Sequence, residues 1–314
     1  MRLGKTLILS ASAALVLAVL LSAAGSSGDE TSDKATAVYR EAVALLEKGD
    51  YDKAIPQFSQ AIELSPRFAE AYSGRGTAYW SKGQMDKAIA DYSLALSIND
   101  KLAEAWFNRG VAYADKDELD KAIADYDRAI ALSPKDQHIY YNRGVAYADK
   151  GQYDKALADQ NEALRLDPSY FEAYNDRGIC YWKQKDYDRA IADYDQALKL
   201  NPKYAEAFYN RGCAYAAKAQ LDKALADFDA ALALSKDLAE AYVDRGATLM
   251  KKGALDKAIA DFNEAIRLQP KNAAAFAMRS LAYGKKGDQA KAAEDLAQAK
   301  KLGITAKFLE DAAK

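Results

Sequence analysis

At 314 residues, with a net charge of −2 and both signs interleaved, the chain carries no basic block, which makes nucleic acid a poor partner. Two cysteines and one histidine cannot supply the four ligands of a structural zinc site, so neither a metal nor a cofactor is expected. Half of the residues are hydrophobic, prolines number six and Val-Thr-rich alternating runs are absent, which favours helix and an all-α fold.

Arg2 and Lys5 precede an uncharged apolar run from Leu7 to Leu21, and Ser22-Ala23-Ala24 follows it. A positive flank, a short apolar stretch and small residues at its end read as a secretory signal over residues 1–24, cleaved after Ala24. The stretch approaches the ~20 apolar residues of a membrane span, so an uncleaved anchor stays as the alternative. No cysteine follows the run, and none of the nine asparagines lies in Asn-x-Ser/Thr. Low cysteine usage in an exported chain points to a bacterial periplasm, with stability coming from the core. No membrane contact is expected beyond the signal. Residues 25–34 read as a polar linker.

From Ala35 a 34-residue period governs the chain: Arg75-Gly76, Arg109-Gly110, Arg143-Gly144, Arg177-Gly178, Arg211-Gly212 and Arg245-Gly246, then Arg279-Ser280. A fixed period of this length means one supersecondary unit copied in tandem. Eight units result, at 35–68, 69–102, 103–136, 137–170, 171–204, 205–238, 239–272 and 273–306, leaving 307–314 as a C-terminal cap or tail.

The third unit shows the pattern. Trp106, Gly110 and Tyr113 share one helix face, Lys116-Asp117-Glu118-Leu119 makes a turn, and Asp120 is the expected N-cap of the next helix. Ala122, Ile123, Tyr126, Ala129 and Ile130 form that helix's buried face, and Ser133-Pro134 ends it. Neither helix of such a hairpin can bury its apolar face alone, so stacking is obligatory. The aromatic, glycine, tyrosine, alanine, aromatic, alanine and proline at Trp106, Gly110, Tyr113, Ala122, Tyr126, Ala129 and Pro134 resemble the tetratricopeptide repeat (TPR) motif. The resemblance implies a right-handed superhelical solenoid of helix-turn-helix hairpins. Two departures stand out: arginine precedes the glycine where the family usually has an apolar residue, and Gln160 replaces the second-helix aromatic in the fourth unit. Pro56 is expected in the first turn of its helix, where it is tolerated.

Sixteen residues after each repeated arginine stands an aspartate, from Arg75 and Asp91 to Arg279 and Asp295. This spacing predicts a half-buried bridge between the two helices of each hairpin. Cys180 and Cys213 lie in neighbouring units, whose equivalent helices are about 8–10 Å apart, too far for a relaxed disulfide.

No catalytic constellation repeats or stands alone, so no enzyme activity is expected. In the family the resemblance suggests, the first helices line a groove that binds peptides or partner helices. The first-helix residues off the signature stripe are therefore the site expected here: Glu104, Phe107, Asn108, Tyr141, Asn142, Asn175, Asp176, Tyr209 and Asn210. Asparagine can hold an extended backbone with both donor and acceptor, and aromatics add apolar area. Glutamates at Glu104 and Glu172 argue for a neutral or basic protein or peptide segment as partner. The expected role is a non-catalytic scaffold or adaptor; a passive self-assembling array, or a non-catalytic subunit of an envelope complex, is the alternative.

Overall fold

The computed structural model describes residues 30–305 together with 307 and 308. The expected signal over 1–24, linker residues 25–29 and most of the tail lie outside the described residues. Among the described residues sixteen helices follow one another. They pair as hairpins: α1 (Glu30–Glu47) with α2 (Tyr51–Leu64), α3 (Ala69–Ser81) with α4 (Met85–Ile98), α5 (Ala103–Asp115) with α6 (Leu119–Leu132), and α7 (Gln137–Asp149) with α8 (Tyr153–Leu166). After these come α9 (Phe171–Lys183) with α10 (Tyr187–Leu200), α11 (Ala205–Ala217) with α12 (Leu221–Leu234), α13 (Ala239–Lys251) with α14 (Leu255–Leu268), and α15 (Ala273–Lys286) with α16 (Gln289–Lys301). The chain forms two compact units, divided between Pro168 and Ser169, so each holds four hairpins. Within each unit every second helix also packs on the first helix of the next hairpin, and successive first helices touch.

Helix α1 begins at Glu30, so residues 30–34 of the expected linker are helical. Glu30 and Asp33 suit the positive end of the helix dipole, and Lys34 donates to Glu30 at 2.7 Å, one turn back.

Packing within a hairpin follows the signature. Ala122, Tyr126 and Ala129 on α6 are buried, and the Tyr126 ring lies where a Cβ on Gly110 would stand 2.7 Å from its Cε1. Phe228 and Phe262 oppose Gly212 and Gly246 in the same way. The glycine is therefore required by the ring that lies on it. In the last repeat Ser280 takes its place, and its hydroxyl donates to the Ala292 carbonyl at 2.6 Å.

The arginine that departs from the motif makes three hydrogen bonds in the third repeat. Arg109 Nε donates to Asp125 Oδ2 at 2.7 Å and Nη2 to Oδ1 at 2.9 Å. The same two-pronged bond joins Arg75 to Asp91, Arg143 to Asp159, Arg177 to Asp193, Arg211 to Asp227, Arg245 to Asp261 and Arg279 to Asp295. This is the bridge expected from the sixteen-residue spacing. The remaining Nη1 also reaches sixteen residues back, to the second helix of the preceding hairpin: Arg75 to Ser59, Arg109 to Ser93, Arg211 to Asp195 and Arg279 to Asn263. The aromatic three residues earlier covers the guanidinium, as Trp106 does at 4.8 Å from Arg109. One planar, permanently charged fork thus ties three helices, a task an apolar residue cannot perform.

The repeated aspartates expected as N-caps do something else. The second helices start one residue before them, at Tyr51, Met85, Leu119 and their equivalents, which places each aspartate in the first turn. Their carboxylates accept from the lysine that ends the next first helix, as in Lys116 to Asp86 at 2.5 Å. Lys82–Asp52, Lys150–Asp120, Lys218–Asp188, Lys252–Asp222 and Lys286–Asp256 repeat it. Each of these aspartates is largely exposed, so water screens the pair and it adds little stability. Pro56 also moves: it is the sixth residue of α2, in the second turn, and its missing N–H leaves the Asp52 carbonyl without its helical donor.

Candidate partner-binding site

The expected site residues lie on first helices, Glu104 to Asn142 in one unit and Asn175 to Asn210 in the other. Phe107, Asn108, Tyr141, Asn175, Asp176 and Asn210 are buried, while Glu104, Asn142 and Tyr209 are half-buried. The aromatics do not stand open as a ladder. Phe107 packs on Tyr126 at 5.9 Å between ring centroids and Tyr209 on Phe228 at 6.1 Å, each against the second-helix aromatic of its own hairpin. The side chains at this position lean onto the core because the glycine three residues on lets that aromatic come close.

The polar residues are engaged too. Asn210 Nδ2 donates to Asn175 Oδ1 at 2.9 Å, and Tyr209 donates its hydroxyl proton to Asp244 Oδ2 at 2.8 Å. Trp80 Nε1 donates to Asp115 Oδ2 at 2.9 Å in the same sense. All three bonds span 35 residues, one repeat plus one position, because successive first helices lie side by side. Asn142 Nδ2 turns back to the His138 carbonyl at 2.8 Å, and Asn175 also donates to Asp176 at 3.1 Å. Trp80 is not marked out by the sequence pattern. The 35-residue spacing was the available signal, hidden beside the period of 34.

The second position of the first helices is a carboxylate at Glu70 and Glu104 in one unit and at Glu172, Glu206 and Glu240 in the other; the first three are half-buried, and Glu206 and Glu240 are exposed. His138 takes the place in the fourth repeat. Burial pushes the Glu104 carboxyl up to about 7, against the hydrogen bond with Asn108. Burial also raises the Asp244 carboxyl, opposed by the bonds from Tyr209 and Cys213. Both cysteines are free; Cys180 is buried and Cys213 half-buried, its Sγ 3.6 Å from Asp244 Oδ2. Among the described residues no group of three or more His, Cys, Asp or Glu could hold a metal ion, and no helix is long and apolar enough to cross a membrane.

Family profiles for the tetratricopeptide repeat match residues 39–103, 103–136, 125–158, 171–204, 193–226 and 239–272, and a TPR repeat profile matches 146–185. This chain belongs to the tetratricopeptide repeat family. No curated protein matches it in sequence. Among solved structures, a tetratricopeptide repeat protein from Parabacteroides merdae is similar over 78% of this chain and 97% of its own, at 21% identity and a TM-score of 0.63. The Cut9–Hcn1 hetero-tetramer of the APC/C contains a chain similar over 88% of this one and 54% of its own, at 17% identity and a TM-score of 0.65. The C-terminal part of a TPR protein from Cytophaga hutchinsonii matches over 76% of this chain and 98% of its own, at 18% identity and a TM-score of 0.60. At these identities the likeness establishes the TPR fold.

Proposed function

We propose that this TPR protein is a non-catalytic scaffold that holds a protein or peptide segment along its first helices. What carries this reading is the row of second-position carboxylates beside first-helix side chains already fixed by 35-residue hydrogen bonds. Side chains locked in place lose little entropy when a partner arrives. The acidic row favours a neutral or basic segment. Glu104, Phe107, Asn108, Tyr141, Asn142, Asn175, Asp176, Tyr209 and Asn210 are the residues assigned to it. The chain is proposed to be exported through its first 24 residues and to act in a bacterial periplasm; N-terminal sequencing of the mature protein tests this.

Cross-linking in the native compartment, followed by identification of the captured protein, tests the scaffold. The combined substitution Asn108→Ala, Asn142→Ala and Asn210→Ala is expected to abolish capture while the helical circular-dichroism signal persists. Undiminished capture by the folded variant would point instead to a passive array joined through its end helices.

A further inference from the structure

Two tryptophans occupy the same place in the repeat. Trp80 and Trp182 are the penultimate residues of α3 and α9, each twelfth in its unit. The Trp80 indole donates to Asp115, 35 residues on. The residue 35 positions after Trp182 is Ala217, and the Trp182 Nε1–H is buried with no acceptor. A buried donor without an acceptor is costly, and native proteins leave few of them. Ala217, where the third repeat has Asp115, supplies no carboxylate and leaves space. A pocket of about 350 Å³ lies here, bounded by Trp182, Tyr209, Cys213, Ala217, Asp244 and Lys251. That volume lies within the range of small-ligand sites.

The pocket's remaining polar groups are unequal. Asp244 already accepts from Tyr209 and Cys213, and Thr248 donates to the Asp244 carbonyl at 2.8 Å. The donors left over are the Trp182 indole and the Lys251 ammonium, which forms no ion pair among the described residues. The exposed Lys183 Nζ lies 5.6 Å from the Trp182 ring centre. Lys183 and Lys251 stand at the thirteenth position, which is aspartate at Asp115 and Asp149 in the third and fourth repeats. Lysine thus holds that position in the repeats on either side of Ala217.

We infer that this pocket between α9, α11 and α13 is an anchor for a carboxylate side chain of the bound segment, which takes the place of the missing Asp115-type carboxylate on Trp182 and pairs with Lys251. The inference rests on the scaffold reading and refines it: the segment is neutral or basic along the carboxylate row and brings one acidic residue to this pocket. An aliphatic stem between Tyr209, Phe228 and Ala216 completes the fit.

The three tryptophans give a direct readout, because the full chain has three indole N–H resonances. Trp80 and Trp106 are internal controls, bonded to Asp115 and to the Asp100 carbonyl at 2.8 Å. Hexanoate, hexanamide and hexylamine are titrated into the ¹⁵N-labelled protein, with Trp182→Phe assigning the third resonance. Hexanoate is expected to shift the Trp182 resonance downfield to saturation and leave the controls in place, with hexylamine silent and hexanamide at least tenfold weaker. Lys251→Gln is expected to weaken hexanoate about tenfold. Ala217→Asp restores the missing acceptor: the Trp182 resonance should move towards that of Trp80 without ligand, and hexanoate should no longer bind. A Trp182 resonance indifferent to hexanoate, or an Ala217→Asp protein that still binds it, would overturn the proposal. The outcome is separable from the scaffold reading. If capture is lost in the asparagine variant but unchanged in Ala217→Asp, the pocket falls and the scaffold stands; if capture survives in the asparagine variant, the scaffold reading fails whatever hexanoate does.

Discussion

Arg143 holds Asp159 by two parallel hydrogen bonds, 2.8 Å from Nε and 2.7 Å from Nη2, and reaches Asp127 of the preceding hairpin at 2.5 Å from Nη1. Removing the arginine alone leaves Asp159 buried without its cation. The arginine side chain keeps 19% of its exposure, so water softens the loss, and about 2–3 kcal/mol is expected for Arg143→Leu. Replacing both members by leucine should recover more than about 1 kcal/mol of that. Urea denaturation together with hydrogen exchange in the fourth repeat measures this, since repeat arrays need not unfold in one step. Losses that simply add across the double variant would show that the pair is not coupled.

Two helical glycines should respond oppositely to alanine. A Cβ at Gly110 would stand 2.7 Å from Tyr126 Cε1 and 3.2 Å from the Ala122 carbonyl, and the overpacking costs about 1–3 kcal/mol. That outweighs the roughly 0.5–1 kcal/mol gained by removing a glycine from a helix. At Gly284 nothing lies within 4 Å, so Gly284→Ala should keep the gain and raise the melting temperature. Equal shifts for the two variants would rule out ring contact as the reason for the glycine.

The turn inside each hairpin needs a left-handed residue. Gly49, Gly83, Gly151, Gly253 and Gly287 supply it, but Asp117, Lys185 and Ala219 hold the same slot at φ of 62°, 64° and 57°. Alanine in that conformation is strained by about 1–2 kcal/mol. Ala219→Gly is therefore expected to stabilise the chain by about 1 kcal/mol, less what glycine adds to the freedom of the unfolded chain. Asp117→Gly should gain less, because aspartate tolerates the left-handed region better. A lower melting temperature for Ala219→Gly would contradict this account.

Burial pushes the Cys180 thiol up to about 12. The folded form disfavours the thiolate, so this contribution to stability is complete below the unfolded thiol's ordinary value near 9 and is lost as pH rises towards 12. Labelling by iodoacetamide between pH 7 and 9 should be slow and nearly flat with pH in the native protein, and fast in guanidinium. A steep native rise across pH 8–9 would show an accessible thiol.

The hairpins and the Arg–Asp bridge are legible because each is written many times in phase, so accident at one position averages out. The helix starts were less so: Asp86 and its equivalents look like caps, yet the chain enters the helix one residue earlier and the carboxylate meets a lysine of the next repeat. A partner 30 residues away leaves no mark in a local pattern. The packing of the first-helix aromatics is hard to read for a related reason. A helical wheel places Phe107 off the stripe, but the absence of a side chain on Gly110 lets Tyr126 come under it. Gln160 was correctly seen as an anomaly: it lies buried against Gly144, its Nε2 is 3.4 Å from the Tyr141 carbonyl, and its Oε1 has no partner.

The bonds that stitch one repeat to the next have a genetic consequence. They span 16, 30 or 35 residues, and the third and fourth repeats offer the same groups to the second: Arg109 and Arg143, Asp115 and Asp149, Lys116 and Lys150. Excising residues 103–136 would hand Arg143 the hydroxyl of Ser93, Lys150 the carboxylate of Asp86, and Trp80 the carboxylate of Asp149. No half-pair would be stranded. Loss of this repeat by unequal crossing-over would therefore shorten the protein without leaving an orphaned charge at the join.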